Sequence, residues 1–356
     1  MEIREARAED EAALRAASSA IEVGSSELKL NHVITNDFFA RIRARGDATV
    51  LVACADDELA GSVSVLVRDG AVGGVQRKLG YLFHLFVMPE YRRSGIAGRL
   101  VRRAEETAQD AGAELMYLAV EGANDPAREL FSGVGYELHR VMHRAGFAPT
   151  SRKPRPSTPK VRPASEDDLP AVCDLVNATW GGHELFRPLS AEALRARIDG
   201  MHGMSVSDVL LSEEGGELRA CCAIWDSSDN AALDVRWVAP KLRLLRAAGV
   251  LVGTFRPMPR IPKSGDVMKP ALLVSLIGYK DMEAGHLRPL FDHLNNLALD
   301  RDISMVFFMC EKESEMPAML ENVFRTDGDI ALYAKGLVPG VTLTDGAVFG
   351  DTFEVF

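Results

Sequence analysis

Val87-Met88-Pro89-Glu90-Tyr91-Arg92-Arg93-Ser94-Gly95-Ile96-Ala97-Gly98-Arg99-Leu100 is the stretch on which the reading of this chain turns. An apolar run, Tyr81-Leu82-Phe83-His84-Leu85-Phe86-Val87, leads into it and reads as a buried strand. Ile96, Leu100 and Ala104 follow at helical spacing, with Ala97 and Val101 beside them. The order is therefore strand, turn, helix. The first N–H groups of a helix have no partner inside it, and the helix dipole favours an anion there. Gly95 allows a ligand close to the backbone, and Ala97 and Gly98 keep that approach clear. Arg92, Arg93 and Arg99 supply charge-assisted hydrogen bonds suited to phosphate. Such a turn is built for a pyrophosphate.

Two common phosphate loops do not fit. The GxxxxGK[ST] loop is absent, and Gly95-x-x-Gly98 lacks the first glycine of the dinucleotide fingerprint GxGxxG. Arg92-Arg93-Ser94-Gly95-Ile96-Ala97 instead resembles the coenzyme A signature of the GNAT N-acetyltransferase superfamily, [QR]-x-x-G-x-[GA]. A second block follows a strand candidate, Glu114 to Val120. Asn124, Ala127, Leu130, Phe131, Gly135 and Tyr136 reproduce that family's N-x-x-A-x-x-L-[YF]-x-x-x-G-[YF] spacing, in its order and at a normal distance.

Length and composition bound the rest. A chain of 356 residues predicts two domains, and 47% hydrophobic with 26% charged residues is a globular balance. No apolar run is long enough for a membrane helix, and Met1-Glu2-Ile3-Arg4-Glu5 lacks a signal-peptide core. A cytoplasmic protein with no membrane role is the expectation. Cys54, Cys173, Cys221, Cys222 and Cys310 form no CxxC pair and read as buried thiols. His183-Glu184 lacks the second histidine of HExxH, so no metal is expected. A net charge of −10 argues against nucleic acid and weakly favours a cationic acceptor.

The chain repeats its own opening. Ile3-Arg4-x-Ala6-x-x-Glu9-Asp10-x-x-Ala13-Leu14 returns as Val161-Arg162-x-Ala164-x-x-Asp167-Asp168-x-x-Ala171-Val172. A repeat this long means a duplicated domain. The two copies are joined by a stretch with four prolines and four basic residues between Pro149 and Lys160, which reads as an extended linker. Strand candidates at Ala271–Ile277, Ile303–Cys310 and Ile330–Tyr333, and helices at His286–Leu299 and near Ala318–Phe324, follow the element order of residues 81–144. The expected fold is α/β with a mixed α+β sheet, a tandem GNAT-like arrangement. Its parts are a GNAT domain at 1–146, a linker at 147–160 and a degenerate second copy at 161–356. Where the first copy has its arginines, the second has Tyr279-Lys280-Asp281-Met282-Glu283-Ala284-Gly285, whose acids oppose a pyrophosphate. The second copy is expected to bind no CoA, to complete the acceptor cleft and to contact a second subunit. Tandem arrangements of this kind resemble mycothiol synthase, the Eis-type aminoglycoside acetyltransferases and the N-myristoyltransferases.

The resemblance implies transfer of an acetyl group from acetyl-CoA, as co-substrate, to a primary amine of a small molecule in a ternary complex. Protein or peptide amines, and a CoA-binding module without turnover, are the alternatives. It implies CoA contacts at Leu85, Phe86, Val87, Arg92, Arg93, Ser94, Gly95, Ile96, Ala97, Gly98, Arg99, Asn124 and Phe131. An oxyanion donor would be a backbone N–H at a bulge in Leu85–Val87, most naturally Phe86. His84 is the candidate base or water relay, since histidine titrates near working pH; Glu121, then Glu27 or Asp37, are the alternatives. Phe131 stands where the family often has tyrosine, so a proton for the thiolate would come from Tyr136, Ser132 or water.

Overall fold

The computed structural model describes the chain except residues 25–26, 35–36, 57, 155–157, 253–260, 322 and 356. The middle of the expected linker, residues 155–157, therefore lies outside the described residues. The first half runs β1 (Glu2–Glu5), α1 (Glu11–Ala20), α2 (Phe38–Arg43), β2 (Ala48–Ala55), β3 (Glu58–Val72), β4 (Val75–Val87), α3 (Ile96–Asp110), β5 (Leu115–Glu121), α4 (Asp125–Gly133) and β6 (Glu137–Ala148). The second runs β7 (Lys160–Pro163), α5 (Leu169–Trp180), α6 (Ala191–Gly200), β8 (Val209–Glu214), β9 (Glu217–Trp225), α7 (Pro240–Val252), β10 (Leu272–Tyr279), α8 (Arg288–Asp300), β11 (Val306–Cys310), β12 (Gly328–Gly336) and α9 (Thr352–Val355).

These twelve strands join one mixed sheet, in the order β1-β2-β3-β4-β5-β12-β6-β11-β10-β9-β8-β7, and the short Phe324–Arg325 strand also pairs with β6. Alternation along β2 and β3 sorts its two faces. Leu51, Val63 and Val65 meet Ile96, Leu100 and Val101 of α3. Val50, Val52 and Leu66 point the other way, toward Leu14 of α1 and Phe38 and Ile42 of α2.

The repeat has a physical basis. Arg4 grips Asp10 through two bonds of 2.7 and 2.9 Å, and Arg162 grips Asp168 through two of 2.8 Å. In each half a guanidinium fork ties the first strand to the turn that starts the first helix.

The halves interlock. β12 comes from the end of the chain, yet it lies between β5 and β6, with Leu332 opposite both Ala119 and Arg140. β6 in turn pairs with β11 of the second half, Phe308 opposite Ala145. The sequence boundary at residue 146 falls inside β6. Leu28–Ile34, between α1 and α2, pairs with Ala231–Val238 from the second half. α9 reaches back as well: Arg68 binds both oxygens of Glu354 at 2.8 and 2.9 Å, and Tyr81 donates to the Glu354 carbonyl at 3.0 Å.

Some expected elements shift. α8 begins at Arg288 because Pro289 suits a first turn. Pro317 sits in a single 3-10 turn, Met316–Met319, where a longer helix was expected. The linker lies on α8: Asn295 donates to the Ser151 carbonyl at 2.8 Å and Arg152 pairs with Asp300.

Candidate active site

β4 carries a bulge at His84–Leu85, starting one residue before the Leu85–Val87 stretch that the resemblance implied. Phe83 pairs with Ser64 and Phe86 with Ser62, so His84 and Leu85 together face Val63. His84 absorbs the turn with a φ of 55°. β4 and β5 pair in parallel only from Leu79–Leu115 to Tyr81–Tyr117. Beyond Tyr81 they part while β5 continues against β12, which opens a cleft along Leu85, Phe86 and Val87.

The cleft leads to the phosphate turn. Gly95, at the N-terminus of α3, has a φ of 79°, and a Cβ built there meets nothing within 4 Å. Among the described residues, no N–H from Arg93 through Gly98 has a hydrogen-bond partner. Arg92, Arg93, Ser94, Gly95 and Arg99 are exposed, Ala97 and Gly98 half-buried, and Ile96 is buried as the anchor of α3. The arginines make no ion pair among the described residues, and Arg92 Nε donates to the Val87 carbonyl at 3.3 Å. The residues present suit a pyrophosphate: a row of free N–H donors, a helix N-terminus and three arginines.

The other expected contacts divide. Asn124 caps α4, its Oδ1 accepting from Ala127 N at 3.2 Å. Phe131 is buried edge-on against Tyr136, ring centroids 5.6 Å apart. Burial pushes the Tyr136 phenol up, aided by Glu105, so it stays protonated. Glu121 ends β5, half-exposed and paired with Arg144. Asp37 caps α2 through Phe39 N at 2.7 Å, and Glu27 pairs with Lys241.

His84 lies on the α1–α2 face, its ring 5.2 Å from Phe38 and 5.9 Å from Phe86. Burial, then Arg41 and Arg45, pull its pKa down to about 3. The imidazole is neutral at pH 7 and a weak base. That fits a group that holds or relays a water better than one that takes a full proton. Sequence could not show this, because the depressing charges come from α2 and the turn after it.

The second half keeps the bulge but fills it. Leu276 has a φ of 50°, and β10 and β11 pair only from Leu272–Val306 to Val274–Phe308. Trp180 Nε1 donates to the Ile277 carbonyl at 2.6 Å. Ser275 donates to Asp351 at 2.8 Å, and Met309 N donates to Thr352 Oγ1 at 2.9 Å. The chain's own C-terminal segment thus occupies the parting of these strands. Asp281 and Glu283 remain exposed beyond it. Between the halves lies a groove of about 440 Å³ lined by Arg45, Arg68, Arg187, Arg197, Asp351 and Glu354 among others.

Among the described residues, no His, Cys, Asp or Glu group has metal-holding geometry, and no helix is long and apolar enough to cross a membrane. The five cysteines are free thiols.

Known proteins match this arrangement. The acetyltransferase (GNAT) family profile covers residues 20–136. The rice acetyl transferase GW6a (Oryza sativa subsp. japonica) is 28% identical over 74% of this chain and 64% of its own. An Arabidopsis thaliana protein described as probable N-acetyltransferase HLS1-like is 26% identical over 64% of this chain and 59% of its own. The chain thus spans less than two thirds of the length of either plant relative. Saccharomyces cerevisiae N-myristoyltransferase, crystallised with myristoyl-CoA, superposes with a TM-score of 0.68 over 98% of this chain and 89% of its own, at 10% identity. Residues 20–136 thus match the acetyltransferase (GNAT) family, and the chain as a whole shares its fold with the N-myristoyltransferases.

Proposed function

We propose that the protein transfers an acetyl group from acetyl-CoA to a primary amine of a small molecule, with the donor held by the first half alone. The observation that carries this is the row of unpartnered N–H groups from Arg93 to Gly98, at the mouth of the cleft between β4 and β5. The thioester carbonyl would lie at the bulge, where the Phe86 N–H faces the developing oxyanion. The amine nitrogen attacks the carbonyl carbon, the C–S bond breaks, and CoA leaves as thiolate. The amine proton passes to water, ordered by His84. Thiols are acidic enough to leave without an acid beside them.

A small acceptor is favoured because α2, which packs on His84 through Phe38, follows a segment that is itself held by pairing with Ala231–Val238. The filled cleft and acidic loop of the second half support one donor site per chain. Thiol release from acetyl-CoA, screened over polyamines, aminoglycosides and amino acids, tests the reading. Amine-dependent release is expected. Tight CoA binding with no release for any amine would make the protein a binding module instead.

A further inference from the structure

On the α1–α2 face, polar groups collect around the bulge without partners. Ser62 and Ser64 stand on β3 directly across from Phe86 and Phe83, both fully buried, and neither hydroxyl has a hydrogen-bond partner among the described residues. The same holds for the buried Ser18 hydroxyl of α1 and for the buried Nδ1 atoms of His32 and His84. Arg41 stands one turn after Phe38 on α2; the Phe38 ring packs 5.2 Å from His84, and the positive charge of Arg41 depresses both histidines. No carboxylate among the described residues pairs with Arg41. Neighbouring Arg45 is turned away, donating to the Glu354 carbonyl at 3.0 Å.

Buried polar groups left unpaired in this number are rare unless something else satisfies them. A half-buried guanidinium and nearby hydroxyls form a receptor for an anionic oxygen group, not for a second ammonium. The chain's net charge of −10 does not describe this region, where Arg41 and Arg45 stand on and just after α2.

We propose that the acceptor amine carries an anionic oxygen group, a carboxylate or a phosphate-like group, and that Arg41 receives it beside His32, His84 and Ser64. This rests on the acetyl-transfer reading above.

Matched acceptors test it: amino acids, their carboxamides, and aminoalkylphosphonates of equal chain length. The wild type should prefer an anionic member over its carboxamide by tenfold or more in kcat/KM, and the better anion identifies the group. Arg41→Gln should bring that ratio near one with the KM for acetyl-CoA unchanged, and Arg41→Lys should restore part of it. An equal or better carboxamide, or an unchanged ratio in Arg41→Gln, overturns the proposal. Should no amine turn over, calorimetry of N-acetyl amino acids and N-acetyl aminoalkylphosphonates on the CoA-bound protein still reads the pocket: tenfold weaker binding of whichever anion binds in Arg41→Gln supports it, and equal binding overturns it. Arg41→Met should also raise Tm, because it removes a charge without a partner; a fall would mark Arg41 as structural.

Discussion

Gly95 and His84 show how far single residues could be read in advance. Gly95 was legible because its need is local: a left-handed φ and open space at a helix start. His84 was legible as a site residue but not as a weak base, since its environment is assembled from α1, α2 and Leu28–Ile34. Its lowered pKa, about 3, and that of His32, about 4, make a prediction about stability. Between those values and the ordinary 6.5 the unfolded chain binds protons that the folded one refuses. Stability should therefore be full above pH 6.5 and fall as the pH drops toward 4. The slope is at most about 1.4 kcal/mol per pH unit for each ring, less where water reaches it. Urea midpoints at pH 7 and pH 5 measure this, and His84→Gln should flatten the difference. A midpoint unmoved by acid would show that the rings are not held neutral.

The strand–turn–helix of the donor site and the repeated opening were readable at the scale of elements because each depends on contacts close in sequence. The Arg4–Asp10 and Arg162–Asp168 forks are such contacts, and both fall on the repeat. The docking of α9 was not readable, because its partners are remote: Arg68 and Tyr117 hold Glu354, with Tyr117 donating at 3.1 Å. Burial lowers the Arg68 pKa, but Glu354 and Tyr117 more than offset this and keep the guanidinium charged. Glu354→Ala should leave that charge buried and unpaired, costing about 3–5 kcal/mol. Thermal or urea unfolding would show it, and a loss under about 1 kcal/mol would mean that water replaces the carboxylate.

The whole molecule departs most from a sequence reading. Duplication suggests two separable domains, but β12 sits inside the first half and β6 reaches into the second. Strand order in space is set by long-range pairing, which periodicity along the chain does not encode. Because the exchanged strands share one sheet, the two halves should unfold in a single calorimetric transition. Two resolved transitions would show that the halves are independent.

One donor site per chain, at the turn before α3, is the claim on which the rest depends. Titration calorimetry with CoA tests it most directly. One equivalent should bind to the wild type and none to Gly95→Glu, which sets a negative side chain among the free N–H groups. Two equivalents per chain, or undiminished binding by Gly95→Glu, would contradict it.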